Sequence, residues 1–160
     1  MDCVQYLLTH VPHLMFRADQ SGATPLHVCA VHGFLEGIVL LLDAAIATST
    51  LLQLLSAFDV NGRTALHTSL LRRQLGIAMY LLATSQIHGL AVTDFLALDD
   101  TAHYTALHYA AAIGANEIVR ALIDAGVNIE HGVPSTTYLE KTNEPELAAA
   151  PRRRAQLAAT

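Results

Sequence analysis

Three copies of one short phrase constrain this chain more than any other feature: Thr24-Pro25-Leu26-His27, Thr64-Ala65-Leu66-His67 and Thr105-Ala106-Leu107-His108, each with an Asp five positions ahead of its Thr (Asp19, Asp59, Asp100). The copies lie 40 and 41 residues apart. That period belongs to arrays in which one supersecondary unit stacks on the next, because no unit buries its apolar face alone. The residue order within each phrase dictates a helix start. Thr is a favoured N-cap, since its hydroxyl can satisfy a backbone N–H that the first helical turn leaves unpaired. Pro25 stands at the first helical position, where its missing N–H costs nothing and its fixed φ suits the helix. The Leu turns to the core, and the His can return a hydrogen bond to the Thr or reach a neighbouring turn. Loss of such a cap costs about 0.5–2 kcal/mol.

The phrase resembles the start signal of the ankyrin repeat, and the rest of each unit follows that pattern. The third copy is the most complete: Ala110 and Ala111 are small enough for close helix stacking, Gly114 can end the first helix in the left-handed conformation, and Ile118, Val119, Leu122 and Ile123 give the second helix an apolar face. The first copy supplies Cys29, Ala30, Gly33, Ile38, Leu41 and Leu42, with Gly37 where the third has Ile118. The second supplies Ile77, Ala78, Leu81 and Leu82 but places Arg73 where Gly33 and Gly114 stand, and in the third His103 replaces the turn glycine given by Gly22 and Gly62. A non-glycine residue in the left-handed region costs roughly 1–2 kcal/mol. The second repeat's helix end and the third repeat's turn are therefore expected to be distorted.

The resemblance implies an all-α fold, an ankyrin-repeat solenoid of stacked antiparallel helix pairs joined by hairpin-like loops. Helix pairs are expected near 25–32 with 35–44, 65–72 with 75–84, and 106–113 with 116–125. The chain divides into a partial repeat at 1–18 carrying only a second helix (Val4–Thr9), repeats with inserts at 19–58 and 59–98, a repeat at 99–131, and a degenerate repeat or disordered tail at 132–160. An ankyrin repeat has about 33 residues, so the surplus in the first two units falls in Ala44–Phe58 and Ala83–Leu98. Both inserts are apolar. Leu51, Leu52, Leu54 and Leu55 fall at helical spacing, and Ile87, Leu90, Val92, Phe95 and Leu96 are spread through the second. Each insert is expected to lengthen its helix or add a short one that packs down; a partner-binding ridge is the competing reading. The array starts in mid-unit, which implies a segment of a longer protein or a makeshift cap at residues 2–9. Thr137-Tyr138-Leu139-Glu140 reads as the remnant of a fourth start signal, while Pro145, Pro151 and the alanine run suggest a ragged tail.

Composition excludes several classes of function. A formal charge of −5 gives no overall basic bias toward nucleic acid. Two cysteines, Cys3 and Cys29, make no disulfide framework; Cys29 reads as a packed thiol in a reducing compartment. No basic-then-apolar leader opens the chain. Glu36 and Asp43 interrupt the apolar run Phe34–Phe58, and the remainder is shorter than the roughly 20 residues a membrane span requires. Of nine histidines, three belong to the start signal. His10, His13, His32, His88, His103 and His131 show no metal-binding spacing, so no metal and no cofactor is expected, beyond adventitious metal at His10 and His13. Nucleophile-elbow, phosphate-loop and kinase signatures are lacking, and His27 with Cys29, or His67 with Ser69, point to different helix faces. The chain is read as not an enzyme. Arg152-Arg153-Arg154 reads as solvated charge.

The resemblance also implies where a partner binds. In the family, proteins dock on hairpin tips and on the inner faces of the first helices. The matching positions include Ser21, Val28, Val31, Val60, Asn61, Thr68 and Ala112. Tyr and Arg are over-represented at binding hot spots, so Arg63, Arg72, Tyr104 and Tyr109, flanked by His32, Leu71 and Ile113, are the expected partner-binding residues; the competing reading is that about half of them solvate the groove or contact the neighbouring repeat. The implied function is a non-catalytic protein–protein interaction module in the cytoplasm, with an unidentified protein partner, neighbouring repeats in a longer chain, no nucleic acid and no membrane insertion. Two further readings stay open. One is a regulatory cytosolic segment of a larger effector, such as a channel, an enzyme or a transcription-factor inhibitor; the stretch His27–Leu42 with its long insert is similar to inhibitors of NF-kappa-B. The other is a hydrolase or transferase, which no motif supports.

Overall fold

The computed structural model describes residue 8, residues 10–91 and residues 95–128. It is a row of three helix pairs: α1 (Pro25–His32) with α2 (Leu35–Ala47), α4 (Ala65–Leu71) with α5 (Leu75–Ile87), and α6 (Ala106–Ile113) with α7 (Asn116–Asp124). A short helix, α3 (Leu51–Ser56), follows α2, and a 3-10 turn at Pro12–Phe16 precedes the first pair. First helices stack on first helices, α1 on α4 and α4 on α6. Among the described residues there is no strand, only the isolated antiparallel bridges Phe58–Thr64 and Asp99–Thr105 at the hairpin bases. The fold is all-α, as the repeat implies.

All three start signals do what their residue types demand. The Thr N–H donates to the His Nδ1 at 3.3, 3.2 and 3.1 Å for Thr24–His27, Thr64–His67 and Thr105–His108, and each Thr Oγ1 lies 2.9 Å from the same Nδ1. These are capping boxes with His at the third helical position in place of the usual Glu or Gln. The conserved geometry extends to the hairpins ahead of them. The Asp Oδ1 accepts the N–H groups two and four residues on: Ser21 and Ala23 for Asp19, Asn61 and Arg63 for Asp59, Ala102 and Tyr104 for Asp100. The marker Asp thus folds its own hairpin, since a short carboxylate can stand in for a backbone acceptor in a tight turn. Successive hairpins are then tied side by side by Val60 N–H to Ser21 O at 3.0 Å and Thr101 N–H to Asn61 O at 2.9 Å.

The core runs along the stack, and in the first repeat a glycine shapes it. A Cβ on Gly37 would lie 2.4 Å from Phe34 Cδ1 and 2.7 Å from Cys29 Sγ. The Phe34 ring and the half-buried Cys29 therefore fill the space that Ile118 takes in the third repeat. The first insert lengthens α2 to Ala47 and adds α3, whose Leu51, Leu54 and Leu55 are buried. The second lengthens α5 to Ile87 and buries Phe95 and Leu96. Lengthening and packing down is thus the outcome for both, with Leu52 and Ile87 left at the surface. Val92 lies outside the described residues, as do Val4–Thr9 apart from the buried Leu8, and the whole of 129–160 including Thr137–Glu140.

The expected distortions at Arg73 and His103 do not occur. Arg73 holds φ +57° and His103 φ +62°, beside Gly33 at +73° and Gly62 at +71°. The hydrogen bonds that define these turns are intact: Gln74 N–H to Ser69 O at 2.8 Å matches Phe34 to Cys29 at 3.0 Å, and His103 N–H to Asp100 O at 2.9 Å matches Gly62 to Asp59. The local strain of roughly 1–2 kcal/mol per residue is absorbed in place because stacking over-determines the backbone. At His103 the side chain adds a 2.8 Å contact from Nδ1 to Asp99 Oδ2.

Candidate functional site

Stacking turns equal register into spatial rows. His32, Arg72 and Ile113 each stand eight residues after their Thr, at the end of α1, just past α4 and at the end of α6; Val31, Leu71 and Ala112 stand one residue earlier. His32 and Arg72 are exposed, while Leu71 and Ile113 are half-buried and packed against the core. Nearer the hairpins, Val28 is 44% exposed and Val60 65%. Exposed apolar side chains also occur at the inserts, where Phe58 is 67% and Ile87 79% exposed.

Tyr104 and Tyr109 require a correction. The resemblance puts them on the inner face, yet they are only 2% and 1% exposed, and Thr68 in the same register as Tyr109 is buried too. The reason is a polar cluster between the second and third repeats. Tyr109 OH donates to Asp100 Oδ2 at 2.6 Å and accepts from Arg63 Nε at 3.2 Å, with Arg63 Nε 3.7 Å from the same carboxylate oxygen. Asp100 is buried, so its charge is answered by the Tyr109 hydroxyl, the half-buried Arg63 and two backbone N–H groups. Edge-to-face ring pairs surround it: Tyr109 with His67 at 5.5 Å and with Tyr104 at 6.1 Å, and Tyr104 with His108 at 5.8 Å. Arg63, Tyr104 and Tyr109 are thus brought together, but as a bolt between repeats. The sequence carried one signal for it: Arg63 is a cation directly ahead of its Thr, where the other repeats have Ala23 and Tyr104.

The electrostatics of the cluster follow from burial. Removal from water, then the Asp100 carboxylate it donates to, push the Tyr109 phenol far above its ordinary range. Burial also raises Tyr104. Burial holds His67 down to about 4, against the pull of Asp100, and holds His27 below its usual value against its contact with the Arg63 carbonyl. A neutral ring is what the capping boxes need. Nδ1 accepts from Thr, which leaves the proton on Nε2, and His27 Nε2 accordingly lies 2.8 Å from Arg63 O of the next repeat. His27 thus both caps its own helix and bonds the following hairpin.

Among the described residues, no group of three or more His, Cys, Asp or Glu side chains is arranged to hold a metal ion, and no helix is long and apolar enough to cross a membrane. Comparison with known proteins agrees with the geometry. The family described as ankyrin repeats (3 copies) matches residues 44–132, and that described as ankyrin repeat matches residues 21–50. No curated protein matches the chain. With the repeat phrases, the stacked helix pairs and these matches in agreement, the chain belongs to the ankyrin-repeat family, whose repeats generally serve as protein-interaction modules.

Proposed function

We propose that the chain is a non-catalytic platform that binds a segment of a partner protein across its hairpin tips and the ends of its first helices. The observation that carries this reading is the pair of aligned rows on α1, α4 and α6. One row holds the exposed His32 and Arg72 with the half-buried Ile113, the other the half-buried Val31, Leu71 and Ala112, and the exposed Val28 and Val60 stand nearer the hairpins. Apolar area supplies affinity, and the guanidinium supplies a charged fork for a carboxylate on the partner. Tyr109 and Asp100 support this face from beneath: they hold Arg63 across two repeats, with Tyr104 packed edge-on against Tyr109, so a partner meets a preformed surface. The second helices contribute Ile38, Leu42, Leu81, Leu82, Ile118 and Leu122 to the core. The half-buried free thiol of Cys29 supports reading the platform as one that works in a reducing compartment.

The test is substitution on the face against substitution on the inserts. Arg72→Glu and Leu71→Asp should weaken binding of a captured partner by roughly thirtyfold, the scale of a hot-spot loss of about 2 kcal/mol, with little change in the thermal transition for Arg72→Glu. Leu52→Asp and Ile87→Asp should leave binding unchanged. The opposite pattern would assign binding to the inserts.

A further inference from the structure

The two junctions between repeats share a frame and differ in what fastens it. Each hairpin donates one backbone N–H to the hairpin before it, Val60 to Ser21 O at 3.0 Å and Thr101 to Asn61 O at 2.9 Å. A glycine makes room for each approach: a Cβ on Gly22 would lie 2.9 Å from Val60 N, and one on Gly62 2.9 Å from Thr101 N. First helices stack at both junctions, α1 on α4 and α4 on α6. Beyond this frame the junctions part. Arg63 and Tyr109, which close on Asp100 across the second junction, have as counterparts in the first Ala23, a bare methyl, and Thr68, whose hydroxyl bonds back to Thr64 O of its own helix at 3.1 Å. The half-buried Asp59, counterpart of Asp100, spends its carboxylate on Asn61 and Arg63 N–H of its own hairpin. Second helices differ as well: α5 packs against α7, whereas the backbones of α2 and α5 draw close at isolated points at most, and α3 of the first insert packs against α2. The first junction does hold a side-chain bond, His27 Nε2 to Arg63 O at 2.8 Å, but it joins neutral groups. Charge-assisted bonds are roughly twice as strong as neutral ones.

We propose that the first junction is the hinge of the platform: the second and third repeats move as one bolted body, and the first repeat opens and closes against it. In a stacked array each interface contributes its own term to stability, so the junction with fewer fastenings opens at lower free energy. Arg63 sits at the boundary between the two regimes. Its carbonyl takes the neutral bond from the first repeat, its N–H bonds Asp59 in its own hairpin, and its guanidinium is held by Tyr109 and Asp100 of the third repeat. On the reading of the binding face given above, the step from Arg72 to Ile113 has a fixed spacing, while the step from His32 to Arg72 crosses the hinge. The first repeat is then the adjustable end of the face, the part that closes on a partner after the bolted body has engaged it.

Residue-resolved amide hydrogen exchange of the free full chain tests this by NMR, because the Val60 and Thr101 N–H groups each close one junction. Relative to its intrinsic rate, Val60 should exchange roughly tenfold or more faster than Thr101 in the wild type. Tyr109→Phe keeps the ring and removes the hydroxyl that Asp100 and Arg63 share; it should speed Thr101 by roughly tenfold or more and leave Val60 as it was. Arg63→Met removes the guanidinium but keeps the carbonyl that His27 reaches, and should do the same. Equal protection of Val60 and Thr101 in the wild type would overturn the proposal. So would variants in which Thr101 stays as slow as before, or in which Val60 speeds up as much as Thr101, since the bolt would then not be what separates the junctions. No partner is present in the measurement, so its outcome stands apart from whether the face binds one.

Discussion

Acid should unfold this protein through a histidine that no catalytic role requires. His67 is buried, its Nδ1 accepts the Thr64 N–H at 3.2 Å, and its pKa is held at about 4. In the unfolded chain a histidine titrates near 6.5. Between those values the unfolded state binds the proton and the native state does not, so stability falls as pH falls through this window. Lowering the pH from 7.5 to 4.5 should remove roughly 2–3 kcal/mol through His67 alone, taking 1.36 kcal/mol per pH unit over the two units below 6.5. That is a large share of the roughly 5–15 kcal/mol that holds a domain together. Protonation places a hydrogen on the Nδ1 that accepts from Thr64, so the capping box is lost with it. The assay is urea unfolding followed by circular dichroism at both pH values, for wild type and His67→Asn, whose side-chain oxygen replaces Nδ1 as acceptor without titrating. The substituted protein should show a pH dependence smaller by roughly 2–3 kcal/mol. An identical pH dependence in the two proteins would refute the reasoning.

Three other expectations follow from the same geometry. Gly22 and Gly114 share φ near +74° and +73°, but a Cβ on Gly22 would lie 2.9 Å from Val60 N whereas one on Gly114 meets nothing; Gly22→Ala should therefore destabilise by at least about 1 kcal/mol more than Gly114→Ala in the same urea titration. Tyr109→Phe removes the hydroxyl that Asp100 and Arg63 share and should cost about 1.5–3 kcal/mol at pH 7. Because the native phenol is held above its unfolded value of about 10, the wild type should keep this contribution below that pH and lose it above, a component the variant lacks. Leu122→Ala, at a fully buried position of α7, should cost about 2–5 kcal/mol and open the third repeat first by hydrogen exchange.

The start signals were legible because their chemistry is local. A Thr with His three residues on needs nothing beyond one helical turn to form its cap, and all three formed as written. The inserts were legible for a related reason, since Leu51, Leu54 and Leu55 at helical spacing need a core and one lay alongside. What was not legible depended on neighbours. Tyr109 in an inner-face register reads as an exposed anchor until Asp100 and Arg63, from two different hairpins, are seen to converge on its hydroxyl and draw the ring inward. Arg73 and His103 read as breaks in the pattern because isolated residues avoid positive φ, but the hydrogen bonds of the repeat hold their backbone where glycine would sit. Gly37 gave no hint that Phe34 would fold across it.

The central claim, a protein-binding platform built on α1, α4 and α6, is tested most directly by an exchange footprint of the complex with a bound partner. The account predicts slowed exchange at the hairpins 20–23, 60–63 and 101–104 and at the ends of the three first helices near His32, Arg72 and Ile113, with α3 and residues 87–91 unaffected. A footprint confined to α3 and residues 87–91, with the hairpins exchanging as in the free protein, would contradict it.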